Sequence, residues 1–347
     1  MKILLAGGAG YIGSVLAPKL LDRGYEVDVV DLLWFGNHLP PAVNLIEKDV
    51  LDLTEGELVG YDQVLFLAGL SNDPMADYSP SRNFVFNAAS PAFLAYLAKR
   101  AGVKRYVYAS SCSVYGYTEN ELYNEQSPAN SSYPYGISKL QGEFGVMQAR
   151  DSDFSVIVLR KGTVCGYSPR MRLDLVVNTM FRTAVTDGII NVTNPSIWRP
   201  ILAIQDAASA YIRAIEASPS ISGVFNIASG NFTIGEVADH VHDSVKDLLG
   251  LDARLNINHF DDVRNYKVTS EHAQNVLGFR ATQTIGDIVR ELADNYMKFN
   301  DVENPAYYNI QTFKMVDGIS KKIWSDDAEV SKRPPSRDAE QLHQATV

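Results

Sequence analysis

Apolar residues crowd into short runs along the first half of the chain, at Lys2–Ala6, Glu26–Asp31 and the stretches 63–67, 105–109 and 155–159. Between these runs the spacing changes to that of amphipathic helices, over 11–23, 87–100 and 135–150. Ile12, Leu16 and Leu20 share one helical face, as do Ile137, Leu140 and Phe144. Gly24 and Gly102 stand where the first two helices are expected to stop, because glycine takes a left-handed conformation at a helix C-terminus without strain. Strands that are apolar almost throughout, separated by helix-length crossovers, predict a parallel sheet covered on both faces. The fold class is α/β, a doubly wound parallel sheet.

Past about Arg160 the alternation weakens. The stretch 167–185 carries Arg170, Arg172 and Arg182 among apolar residues and reads as a separate, substrate-facing lobe. The run 199–204, with a helical pattern at 206–217 and a strand pattern at 224–228, reads as a return to the sheet. The expected division is discontinuous. Residues 1–163 and 199–229 form a dinucleotide-binding Rossmann domain, and 164–198 with 230–324 form a smaller C-terminal substrate-binding domain. Residues 325–347 are polar without periodicity and read as a mobile tail.

Composition narrows the class. With 46% hydrophobic and 21% charged residues over 347 positions, the chain is of the ordinary globular kind. A net charge of -10 argues against nucleic acid as a partner, since that would call for clustered cations. No stretch approaches about 18 uninterrupted apolar residues, so no membrane span is expected. Cys112 and Cys165 are too few for a disulfide framework, and Met1 leads straight into Ile3-Leu4-Leu5 without a cleavable signal pattern. The expected compartment is the cytoplasm. No metal site is expected.

Gly7, Gly10 and Gly13 form a G-x-x-G-x-x-G run between the first strand and the first helix. Tyr11 and Ile12 lie within it. The first two glycines allow a tight turn and a close approach of backbone to a pyrophosphate, whose charge meets the N–H groups at the helix start. The third lets helix and strand pack closely. Asp31 ends the second strand, 18 residues after Gly13, where a carboxylate accepts hydrogen bonds from adenosine ribose hydroxyls and repels a 2′-phosphate. Leu32, Leu33 and Trp34 supply no cation for such a phosphate, so the expected cofactor is NAD rather than NADP. Asp49, followed by Val50, could reach the adenine amino group or serve as an ordinary turn cap.

Tyr135 and Lys139 make the only Y-x-x-x-K pair among 18 tyrosines, and at that spacing they share one helical face. An ammonium near a phenol favours the phenolate, which turns Tyr135 into a usable general base. Ser111, in the preceding loop 110–116, can hold the reacting substrate oxygen and share its proton with the tyrosinate.

These residues resemble the extended short-chain dehydrogenases/reductases, in particular the NAD-dependent nucleotide-sugar epimerase/dehydratase family typified by UDP-galactose 4-epimerase. The likeness covers roughly residues 1 to 300, through Gly7-Gly8-Ala9-Gly10-Tyr11-Ile12-Gly13, Leu67-Ala68-Gly69, Asn87, the Ser110 to Gly116 loop, Tyr135-Gly136-Ile137-Ser138-Lys139 and Arg199. It implies an epimerase acting on a nucleotide-diphosphate sugar, with Ser111, Tyr135 and Lys139 catalytic. Lys139 would also bind the nicotinamide ribose. Asn87 would steady the loop beside the cofactor, Leu67, Ala68 and Gly69 would line its cleft, and Ser110 would join them. Arg199 and Arg264 fall where family members hold the substrate diphosphate, while Asn178, Arg170 and Arg172 are further candidates. Departures stand out as well. Cys112 and Ser113 occupy the positions of the Asp-Glu pair of the related dehydratases, which disfavours elimination of water; Cys112 could instead donate a proton near the sugar. Lys161 replaces a residue commonly aromatic or apolar, and Thr163 one that is often Asn.

The alternatives are a one-way dehydrogenase, ketoreductase or decarboxylating relative, and an NAD-binding sensor or scaffold without chemistry. The resemblance also implies a homodimer through the helices beginning near Asn87 and Tyr135, where Gly142 and Gly145 could permit close approach.

Overall fold

The computed structural model describes residues 1–259 and 265–318. Arg264 and the expected tail, 325–347, lie outside the described residues.

Seven strands form the main sheet: β1 (Lys2–Ala6), β2 (Glu26–Asp31), β3 (Asn44–Glu47), β4 (Gln63–Phe66), β5 (Arg105–Ser111), β6 (Ser155–Lys161) and β7 (Gly223–Ile227). Their spatial order is β7-β6-β5-β4-β1-β2-β3, and every neighbouring pair is parallel. The order reverses between β1 and β4. A crevice opens there at the C-terminal strand ends, where doubly wound sheets take their ligands.

Alternate residues of each strand feed two cores. Leu5, Val29, Val107, Ile157 and Leu159 enter one, with Leu16 and Leu20 of the helix Gly13–Leu21. Leu4, Val30, Phe66, Tyr106, Tyr108, Val156 and Val158 enter the other. Because both faces are covered, polar alternation is absent, and each such side chain stabilises the fold by about 1.5–3 kcal/mol. Gly24 and Gly102 take φ of 77° and 85° just beyond their helices, as their positions predict.

The strand Trp198–Ala203 does not return to the main sheet. It pairs with Thr163–Cys165 and Gly230–Thr233 in a three-stranded sheet of its own. Leu202 enters the core beside the main sheet, while Ile201 and Ala203 enter a third core built on the helices Val176–Asp187, Ile234–Leu249 and Ile285–Asp294. Burial on two sides gives this strand the continuous apolar character from which a main-sheet strand was expected. The following helix, Ile204–Glu216, does pack on the main sheet, through Ala207, Tyr211 and Ile215.

A last helix, 309–318, packs beside Leu70, Met75, Trp34 and Phe86 rather than on the third core. Phe313 stacks on Trp34 with ring centroids 5.7 Å apart and meets the edge of Tyr78 at 5.8 Å. Arg82 pairs with Asp317 at 2.8 Å.

Candidate active site

The turn after β1 builds one end of the crevice. Gly7 holds φ +77°, and a Cβ there would collide with the backbone of Ala68; a Cβ on Gly13 would strike the Gly8 carbonyl. Only glycine fits either position. The helix Gly13–Leu21 starts with no side-chain cap; Ser14 and Val15 N–H bond back to the Gly10 and Ile12 carbonyls, and the positive dipole end at Ile12 and Gly13 faces the cleft. Beside them the Asp31 carboxylate is fixed by two backbone donors, Ala9 N–H at 3.0 Å and Leu33 N–H at 2.9 Å. Burial pushes its pKa up against those bonds and the nearby Arg170 charge.

A cleft of about 410 Å³ runs from this turn to the ends of β5 and β6. Gly7, Gly10, Tyr11, Ile12, Gly13, Asp31, Asp49, Val50, Leu67, Ala68, Gly69, Ser110, Ser111, Tyr135, Lys139, Thr163 and Arg199 line it. Three other sequence candidates sit behind its wall. Asn87, fully buried, donates to Leu70 O at 2.9 Å and Asn83 Oδ1 at 2.8 Å. Cys112 is fully buried with its thiol on Arg160 O at 3.1 Å, and burial pushes that thiol far above its usual pKa. Asn178 accepts from Gly166 N–H at 2.9 Å and donates to Arg172 O at 2.8 Å and Tyr11 Oη at 3.1 Å. Each holds a loop that itself meets the cleft. Asp49 does cap a turn, accepting from Leu51 N–H at 2.9 Å, while facing the cleft.

Ser111 ends β5, and its hydroxyl donates to Ser113 Oγ at 3.0 Å. Tyr135 and Lys139 project from the helix Pro134–Met147. Lys139 Nζ donates to Ala109 O at 3.1 Å and stands 5.9 Å from the centre of the Tyr135 ring. Burial dominates both groups. It raises the phenol above its ordinary pKa, opposed by a hydrogen bond with Ser111 and the charge of Arg172, and lowers the Lys139 ammonium well below its own. Beside the Lys139 ammonium and the positive nicotinamide expected from the sequence, the structure adds Arg172 as a cation that pulls the phenol down. Arg172 is clamped by Asp174 through bonds of 2.8 and 3.0 Å, and Asn72 Nδ2 reaches the same carboxylate at 3.2 Å.

Sequence reasoning passed over several cleft residues. Trp34, Phe35, Ser71 and Asn309 all line it; Arg170 lies 3.6 Å over the Phe35 ring and donates to Asn309. They converge from distant stretches, so no window of sequence joins them. Lys161 was visible as a departure from a pattern, and it too lines the cleft.

NAD fits these residues. The Gly7 and Gly13 positions leave no room for side chains, the helix start is uncapped, and a carboxylate stands fixed beside both. A diphosphate would lie on the glycine turn and an adenosine ribose on Asp31, with the nicotinamide end toward Tyr135 and Lys139.

Among known proteins, the profile of the NAD dependent epimerase/dehydratase family matches residues 3–228. A putative UDP-arabinose 4-epimerase 2 from Arabidopsis thaliana is 27% identical over 290 residues, covering 73% of this chain and 69% of that protein. A UDP-glucose 4-epimerase from Bacillus subtilis is 32% identical over 193 residues, covering 50% of this chain and 56% of that enzyme. The structure of MoeE5 in complex with UDP-glucose and NAD superposes with a TM-score of 0.76 at 25% identity, over 86% of this chain and 99% of that one.

Proposed function

The chain belongs to the NAD dependent epimerase/dehydratase family, and from that premise we propose that it is an NAD-dependent epimerase of a nucleotide-diphosphate sugar, inverting a carbinol through a transient keto sugar. The observation that carries the reading is the meeting of Ser111, Tyr135 and Lys139 at the strand ends of a cleft whose other end is the glycine turn and Asp31. The relatives act on UDP-sugars by name, which makes the 4-position of a UDP-sugar the first to test.

Bound NAD supplies hydride acceptance and return at the sugar carbon. The protein handles the proton. Ser111 Oγ, at the end of β5, holds the sugar hydroxyl against Tyr135. The phenol must be ionised to take that proton, and burial resists this; Arg172 and the Ser111 hydrogen bond favour it. Lys139, fixed on Ala109 O, is placed to bind the nicotinamide ribose. On return Tyr135 gives the proton back, so neither proton nor redox equivalent is consumed. Arg199 on the cleft wall suits the diphosphate. Elimination of water lacks the usual acid pair, since positions 112 and 113 hold a buried thiol and a hydroxyl.

Two further assignments belong to this reading. The first is a division into a cofactor domain (1–163, 199–229) and a substrate domain (164–198, 230–324), amended by the strand Trp198–Ala203, which pairs in the small sheet, and by the helix 309–318, which packs on the main-sheet half. The protein is a cytoplasmic homodimer, supported by two free buried cysteines and by exposed apolar residues, Val85, Tyr96 and Phe144, on neighbouring helices. Gly142 and Gly145 serve packing within the protomer instead: a Cβ on them would meet the Asn87 carbonyl and Ala92. Among the described residues no helix is long and apolar enough to cross a membrane.

The test is to incubate the purified protein with UDP-glucose, UDP-galactose and UDP-arabinose and follow configuration at C4 by NMR. Inversion with deuterium retained at C4 and no NADH released supports the proposal. Stoichiometric NADH release would replace it with a one-way dehydrogenase.

A further inference from the structure

Lys161 lines the cleft, and the mechanism above leaves it without a task although its placement is specific. It pairs in register with Ser111 on the adjacent parallel strand. Side chains so paired leave the sheet on the same face about 4.8 Å apart. The preceding same-face residues, Ala109 and Leu159, enter one core, which confirms the shared direction. The two side chains therefore leave the sheet on one face, and both line the cleft.

Lys161 has no hydrogen bond or ion pair among the described residues. Its nearest ring, Tyr211 at 5.9 Å, carries a buried hydroxyl that likewise has no hydrogen-bond partner there. The acids nearby are engaged: Asp174 holds Arg172, and Glu143 holds Arg160. Lys139 and Arg172 add positive charge to the same wall. Lys161 is half-buried, and an ammonium partly withdrawn from water without a counter-ion is costly, so a lysine kept here points to a ligand that brings the negative charge.

Resting on the proposed epimerisation, we propose that Lys161 pairs with a carboxylate on the sugar ring, which makes the substrate class nucleotide-linked uronic acids rather than neutral sugars. In a hexuronate the carboxylate is attached to C5, which is bonded to the C4 carbinol held by Ser111. A cation from the strand position paired with Ser111 can reach the carboxylate of a ring whose C4 hydroxyl Ser111 holds. A diphosphate would not need a cation at the Ser111 end.

The experiment compares UDP-glucuronate with UDP-glucose on the wild-type protein, Lys161→Met and Lys161→Arg, by kcat/KM and by titration calorimetry. The wild type is expected to favour the uronate by about tenfold or more, and Lys161→Met to lower that ratio by about 10- to 100-fold, the worth of one charge-assisted hydrogen bond. Lys161→Arg restores part of the ratio. A ratio unchanged within about threefold in Lys161→Met overturns the inference, as does an equal loss on both substrates, which would assign Lys161 to the nucleotide. Turnover of UDP-glucose with no preference for the uronate removes this inference and leaves the epimerase. If neither sugar is converted, it is the epimerisation that fails, and the two calorimetric affinities still decide the role of Lys161.

Discussion

Tyr135 must lose a proton inside a wall that raises its pKa, so its contribution is measurable by removing the hydroxyl alone. Tyr135→Phe is expected to lower kcat by about 10²- to 10⁴-fold, the range of a positioned acid/base, while NAD binding measured by fluorescence persists. A loss of NAD binding in parallel would assign the ring a structural task instead. Lys161 offers a second test through pH. Burial and the Arg172 charge bring its ammonium down to about 8, with Cys112 opposing and Lys139 and Tyr211 completing its surroundings. It is charged below that value and neutral above it, so any preference for the uronate should fade as pH rises through about 8. The same shift bears on stability. Between about 8 and the ordinary lysine range the unfolded chain binds the extra proton, so stability rises with pH there, and below 8 the cost of burying the charge is fully present. Lys161→Met should therefore raise the unfolding free energy near pH 7 by about 0.5–2 kcal/mol, read from a denaturant midpoint.

At the scale of elements, one helix carries both the lysine proposed for the reaction and a structural charge. Glu143, four residues after Lys139 on Pro134–Met147, takes three bonds from the Arg160 guanidinium at 2.9, 3.1 and 2.7 Å and one from the Ser110 hydroxyl. It thus ties the helix to β5 and β6 directly beneath the site. Glu143→Ala leaves Arg160 buried and unpaired, and is expected to cost about 3–5 kcal/mol in unfolding free energy, with kcat falling because Lys139 shifts with its helix. Full activity in a destabilised variant would show that the tie matters to folding alone. The elements that sequence reading placed well are those whose code is local. The strands β1 and β2, the Gly7-Gly10-Gly13 turn, Asp31 and the Tyr135-Lys139 spacing each declare themselves within about 20 residues. Trp198–Ala203 misled because an apolar run records burial and not which cores do the burying. Arg172 escaped as the partner of Tyr135 because 37 residues and a change of lobe separate them. The aromatic group Trp34, Phe86 and Phe313 is assembled from three distant stretches, so no window of sequence contains it.

For the whole molecule, the second lobe and the last helix decide how firmly the cleft is closed. Tyr11, in the glycine turn, donates to Gly166 O at 2.6 Å, and Ser168 Oγ donates to the Tyr11 carbonyl at 2.8 Å, so the lobes are stitched at the cofactor turn itself. Asn309 Nδ2 donates to Ser71 Oγ at 2.6 Å and its Oδ1 accepts from Arg170, joining the helix 309–318 to both halves. Phe313→Ala removes a fully buried ring and should weaken the docking of that helix by about 3–5 kcal/mol. The expected readout is faster release of NAD in a chase with excess unlabelled cofactor; an unchanged release rate would mean that the helix does not guard the cleft. Self-association is a separate matter: Phe144→Asp should shift sedimentation from dimer toward monomer.

The helix 309–318 also imposes an order in time. A wall supplied by residues 309–318 cannot exist until the ribosome has made that stretch. Before then a completed sheet would offer the dinucleotide an open cleft, and the seating of Phe313 on Trp34 and Asn309 on Ser71 would close it afterwards. Cleavage near Asn309 is then expected to leave a folded sheet and a leakier pocket.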